Sequence, residues 1–284
     1  MGHTVEVFPH PACRQTYRRL RARDLNDRLL QSTPAVNHVV SRTASEMESR
    51  ETQSWWQSAP IFRDLSRAEC EQMFSAALRR QYEPRTVIVQ EGDAGGQVLI
   101  ASSGRVKISQ VSHTGEEVIL RIRGAGDVLG GLGMTAGEIH TSTIRALEAC
   151  TVVSWPADEF EQLCASSPAL QRNALQIMHD ALQILQDCFC EMATLRASSR
   201  LARTLVRLAQ QNGCGVERAR ITFTCEELGQ MAGTTLFTVS RLLSKWAERG
   251  LVYAENREIV LEDIEELLAF ADESPAAEKP LPIR

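Results

Sequence analysis

The 284-residue sequence predicts an α+β protein: an N-terminal antiparallel β-roll of jelly-roll type, one long helix, and a C-terminal winged helix-turn-helix. Three observations predict this. Short β-prone segments recur at intervals of about 8–12 residues between glycine-containing turns, the spacing of an antiparallel sandwich or barrel. A stretch from Ser167 to Leu195 then keeps apolar side chains at unbroken helical spacing. Finally, two short capped helices meet at a glycine, with two more strand-like segments behind them.

Residues 1–55 read as an extension outside the main fold. Cys13 to Leu30 holds six arginines against two aspartates and can form one helix, and Ser41–Ser54 is rich in Ser, Thr and Glu. A first domain spans 56–166. Ile61 to Leu78 has helical spacing through Leu65, Met73, Phe74 and Ala77. Strands are expected at Thr86–Val89, Val98–Ala101, Arg105–Gln110, Glu117–Ile122, Thr143–Ala146 and Thr151–Trp155, with turns at EGDAGG, SSG, HTGEE and RGAGD.

The long helix occupies 167–196 and carries two apolar stripes. Leu170, Ala174, Ile177, Ala181, Ile184 and Cys188 follow a 4-3-4-3-4 spacing, a heptad seam. Leu175, Met178, Leu182, Leu185, Phe189 and Met192 form the other. One stripe can pack on the roll; the second needs another helix, most simply that of a second copy. The Leu170–Cys188 seam is assigned to this interface, in a parallel homodimer.

The domain 197–270 follows, then a tail at 271–284. A helix at Ser199–Gln211 stops at Asn212-Gly213. A strand at Arg220–Phe223 leads into Thr224-Cys225-Glu226-Glu227, a capping box that starts a helix ending near Gly233. Thr235 caps the next, Leu236 to Arg249. Leu251–Val252 and Glu258–Val260 make the wing, and Leu261 to Phe270 a last acidic helix.

Composition narrows the function. With 43% hydrophobic and 24% charged residues the chain can bury a core. No apolar run approaches the ~18 residues of a membrane span, and the N-terminus lacks the apolar region of a secretory signal, so a cytoplasmic protein is expected. The eight cysteines then argue against a disulfide framework. There is no CxxC pair, and Cys188 and Cys190 point ~200° apart on one helix, so no metal site is expected. The cysteines read as small buried apolar residues, with redox sensing left open. No P-loop, GxSxG or HExxH occurs, so no catalytic residue is expected.

The net charge of −5 conceals a local excess: residues 197–250 hold eight Lys and Arg against four acids. In CEELGQMAGTTLFTVSRLLSKWAERG, Leu228, Met231, Val239, Leu242, Leu243 and Trp246 are spaced to bury one face. Thr235, Thr238, Ser240, Arg241 and Lys245 are left on the other. Such a helix lies in the major groove of double-stranded DNA. Arg241 can donate two hydrogen bonds to guanine, Ser240 can donate or accept, and Leu236 and Phe237 can touch a thymine methyl.

From about residue 61 to 270 the chain resembles the CRP/FNR superfamily of bacterial transcription regulators, through EGDAGGQVLIASSGRVKI, GAGDVLGGLG and LGQMAGTTLFTVSRLL. The resemblance implies a homodimer on a palindromic operator, allosteric control by a cyclic-nucleotide-binding-like β-roll, and RNA polymerase as a further partner. The family's base-reading triplet is Glu, then Ser or Gly, then Arg. Ser240 and Arg241 match, but Phe237 stands at the Glu position and Leu236 at the one before it. Members that bind cyclic AMP use a Gly-Glu and an Arg-Ser pair; the matching residues here are Gly130, Gly131, Leu132, His140 and Thr141. Gly131 replaces the Glu and His140 the Arg, so the bidentate cation for a phosphate is missing and cyclic AMP is not expected. An iron–sulfur cluster needs four thiolates, clustered near the N-terminus in that branch, where this chain has only Cys13. Haem stays open, with His3, His10, His38, His113, His140 and His179 as axial candidates. Two alternatives accompany the DNA reading: a haem-based gas or redox sensor of the same family, and a sensor that signals to a protein partner.

Overall fold

The computed structural model describes residues 55–133, 138–211, 219–255 and 258–273. The extension up to residue 54 (with His3, His10, His38 and Cys13), the Asn212-Gly213 stop, Cys214 and all residues after 273 lie outside the described residues.

Eight strands make two four-stranded antiparallel sheets. They are β1 (Leu78–Tyr82), β2 (Val87–Val89), β3 (Gln97–Ser103), β4 (Val106–Val111), β5 (Glu117–Arg123), β6 (Val128–Gly130), β7 (Thr143–Ala146) and β8 (Cys150–Pro156). One sheet runs β1-β8-β3-β6 and the other β2-β7-β4-β5. Alternation along β3 divides the core. Leu99 and Ala101 meet Val106, Ile144 and Ala146 of the opposite sheet. Val98 and Ile100 point the other way, under helices.

The sequence reading misses β1 and β6, and both are edge strands. Leu-Arg-Arg-Gln-Tyr lacks alternation because β1 pairs only with β8 and keeps polar side chains outward. Val128–Gly130 is three residues inside a glycine-rich run and reads as a turn. The single helix expected over Ile61–Leu78 is also corrected. After α1 (Trp55–Ser58) come a 3₁₀ turn at Pro60–Phe62, Asp64 at φ 60°, and then α2 over Arg67–Ser75 only. Ser66 and Glu69 form a capping box that restarts the chain as a new helix, and Leu78 heads β1.

Helix α3 (Ala157–Ser166) continues directly from β8, with Asp158 and Glu159 at the positive end of its dipole. The long helix α4 spans Pro168–Thr194; Ser167 caps it, accepting from the Leu170 N–H, and Pro168 sits at its first position. Trp155, fully buried beneath α2 and α3, donates from Nε1 to the Met73 carbonyl at 2.7 Å. Asn173 of α4 donates to the carbonyls of Ile61 (3.0 Å) and Arg63 (2.6 Å), fixing the helix to the 3₁₀ turn.

The seam assignment on α4 is reversed at its N-terminal end. Leu170 is 0% exposed inside its own chain's core, and Ala174 and Ile177 pack against the same cluster. Ala181 is half-buried, its carbonyl accepting from Arg121 of β5 at 2.6 Å; Cys188 is half-buried and Ile184 exposed. The stripe left outward is the second: Leu175, Met178, Leu182, Leu185, Phe189 and Met192. Both stripes have heptad spacing, so periodicity alone does not say which meets the roll.

The C-terminal part comprises α5 (Ala197–Gln211), β9 (Ala219–Thr222), α6 (Cys225–Ala232), α7 (Leu236–Ala247), β10 (Val252–Glu255), β11 (Glu258–Leu261) and α8 (Ile264–Glu273). Strands β10-β11-β9 form the wing sheet. Its core, around Leu201, Leu205, Leu228, Val239 and Trp246, also takes in Ile119 and Ile122 of β5. No helix among the described residues is long and apolar enough to cross a membrane. Nor do they hold a group of three or more His, Cys, Asp or Glu placed for a metal ion.

Candidate nucleic-acid interface and effector cavity

Helix α6 starts where the Thr224 hydroxyl accepts from the Glu227 N–H at 3.1 Å while Glu227 accepts from the Thr224 N–H at 2.8 Å. It stops at Gly233, whose φ of 61° is left-handed. Two residues later Thr235 caps α7 by accepting from the Thr238 N–H at 3.2 Å. The turn between the helices is therefore set by a glycine and a cap, and Val239, Leu243 and Trp246 bury the inner face of α7.

The outer face presents Leu236, Phe237, Ser240, Arg241 and Lys245, all exposed, Phe237 to 77%. Phe237, Arg241 and Lys245 lie four residues apart on one stripe. Thr235 and half-buried Thr238 are engaged differently: their hydroxyls lie 3.1 Å apart within the cap. Phe270 of α8, with no role in the sequence reading, supports the end of α7. The Arg249 guanidinium lies 4.3 Å and the Lys245 ammonium 5.3 Å from its ring centroid. The acidic α8 thus docks by an aromatic side chain against the basic end of α7.

The β-roll contains a cavity of about 570 Å³, within the ~300–1,000 Å³ typical of ligand pockets. Gly130, Gly131, His140 and Thr141 line it, with apolar walls from Ile108, Leu129, Ile139 and Ile144. Leu132 does not; it packs on the core beneath the helices. Burial pushes the pKa of His140 below the usual histidine range by disfavouring the charged imidazolium, and the nearby Asp93 carboxylate opposes that shift. Glu138 is the one charged side chain in the lining among the described residues. Gly131 has φ +89°, and a β-carbon there would collide with the Gln97 carbonyl oxygen, so the backbone itself excludes a side chain.

A β-roll with an open cavity, a long helix and a winged helix-turn-helix with a basic outer face are the parts of a DNA-binding regulator. Two family models match: the cyclic nucleotide-binding domain over residues 79–167 and the Crp-like helix-turn-helix domain over 199–270, together more than half of the chain. The chain belongs to the CRP/FNR family of DNA-binding transcription regulators. It is 26% identical to the anaerobic regulatory protein of Haemophilus influenzae over 72% of this chain and 80% of that one. It is 28% identical to the CRP-like cAMP-activated global transcriptional regulator of Mycobacterium tuberculosis over 68% and 89%. In fold it is similar to the c-di-GMP-responsive global regulator CLP of Xanthomonas campestris, with TM-score 0.62 and 22% identity over 69% of this chain and 99% of that one. FixK2 of Bradyrhizobium japonicum is similar at TM-score 0.61 and 21% identity over 71% and 99%.

Proposed function

We propose that this regulator binds a palindromic operator as a homodimer, with one α7 from each chain in successive major grooves. The observation that carries this is the outward stripe of α4, where Leu175 to Met192 keep heptad spacing and Phe189 is 72% exposed. An apolar surface of that length on a helix needs a partner, and an identical helix supplies the matching knobs and holes. Two copies joined along it carry two α7 helices, which a palindrome accommodates about 34 Å apart.

On this reading the segment 56–166 is the effector domain, 167–196 the pairing helix and 197–270 the DNA reader, acting in the cytoplasm with RNA polymerase as a protein partner. Of the effector-site residues, Gly130, Gly131, His140 and Thr141 serve the cavity and Leu132 the packing beneath it. Of the DNA-site residues, Leu236, Phe237, Ser240, Arg241 and Lys245 face the duplex, while Thr235 and Thr238 hold the end of α7. On this reading the effector is not cyclic AMP: Gly131 has no room for the ribose-binding Glu, and His140 stands where the phosphate-binding Arg would be. An effector shifts the protein only by binding its two states unequally.

The test is the oligomeric state of Leu182→Glu/Leu185→Glu against wild type by sedimentation velocity. Wild type runs as a dimer and the variant as a folded monomer with weakened DNA binding. A variant that pairs as well as wild type removes the stripe from the interface.

A further inference from the structure

The last turn of α4 is tied to the DNA-reading domain at three points. Glu191 accepts two 2.8 Å hydrogen bonds from Arg207 of α5. Arg200, also in α5, donates to the Leu195 carbonyl at the end of α4 (2.7 Å) and to the Ala232 and Gly233 carbonyls of the helix-turn-helix turn (2.9 Å each). Third, Met192 lies on Gly233: a β-carbon there would stand 2.8 Å from its Sδ and against its Cε.

Met192 is also the last member of the outward stripe on α4. One flexible thioether therefore serves two surfaces, the seam and the turn that leads into α7. Resting on the homodimer reading above, we propose that Met192 is a positioning residue that couples closure of the seam to the seating of that turn. Packed on Gly233, it caps the turn and is withheld from the seam; packed in the seam, it uncovers Gly233. The turn is then tied to α5 by the two Arg200 bonds to the Ala232 and Gly233 carbonyls, and through Arg200 to Leu195 at the end of α4. Coupling of this kind is reciprocal, so a change at the turn must alter pairing of the distant helices.

The test uses the full-length protein without DNA. Gly233→Asn keeps a left-handed backbone at little cost and places a β-carbon where the end of Met192 lies, displacing it. The dimer dissociation constant, measured by sedimentation velocity over a concentration series, should fall about fivefold or more. In a Met192→Ala background Gly233→Asn should change it no further. A merely local defect in the turn lowers the melting temperature and the DNA affinity but leaves pairing alone, so equal dissociation constants for wild type and Gly233→Asn overturn the coupling. A wild type that stays single-chain at the highest concentration reached defeats the homodimer reading itself, and the coupling with it. Should the variant not fold, the wild-type Gly233 amide resonance decides. It must shift on dilution from dimer to monomer, and an unmoved signal overturns the proposal.

Discussion

Glu69 and Ser167 join the starts of two helices through one carboxylate. The Ser167 hydroxyl donates to Glu69 Oε1 at 2.5 Å, while the Ser66 hydroxyl and N–H donate to Oε2 at 2.7 and 2.8 Å. Ser66 caps α2 and Ser167 caps α4, so the base of α4 is anchored to the edge of the β-roll at this point.

Those bonds, led by that from Ser167, lower the Glu69 carboxyl to about 2. A depressed carboxylate stabilises the fold fully above its ordinary range near 4.5 and loses that contribution as pH falls toward 2. Glu69→Gln should lower the melting temperature at neutral pH and flatten its fall across that acid window. Thermal melts of both proteins as a function of pH measure this; parallel curves would remove the anchor.

Asn173 gives the same helix its second attachment. Replacing it with Leu leaves the Ile61 and Arg63 carbonyls without their donor, at a cost of about 1–3 kcal/mol. Denaturant unfolding should show a lower midpoint with an unchanged slope.

On the DNA side, Arg241→Ala should cost about 1–3 kcal/mol of discrimination at one guanine position of each half-site. Affinity for unrelated DNA should fall much less. Phe237→Glu should move preference at its base pair toward a cytosine or adenine amino group, at the expense of thymine. Selection of bound sequences from a random duplex pool reads both changes.

Cyclic AMP should produce no saturable heat in calorimetry with the wild type. Gly131→Glu should fail to create a site and should lower stability, because its backbone is left-handed and the Gln97 carbonyl fills the space. Saturable binding to either protein would contradict the reading of the cavity.

Much of this architecture was legible in the sequence for definite reasons. Thr224 with Glu227, the Gly233 stop and the Thr235 cap are local signals, and local signals fixed α6 and α7 closely. The strands with alternating apolar residues were legible too, while edge strands β1 and β6 were not, since one is polar and the other three residues long. The α4 stripes show the other kind of limit. Leu170 and Leu175 are equally apolar, and only the tertiary packing of Phe160 and Trp155 against Leu170 turns one inward. The contacts of Arg200 and Phe270, and that of Met192 with Gly233, escaped because their partners are backbone carbonyls, cations and a glycine with no sequence signature.

On the proposed homodimer, two chains paired along the Leu175–Met192 stripe deliver two copies of α7 to one duplex. Sedimentation of the protein with a fluorescent fragment carrying its selected operator tests that directly. Two chains per duplex, with affinity falling steeply as salt rises, is the predicted result. One chain per duplex, or no association at low ionic strength, would contradict it.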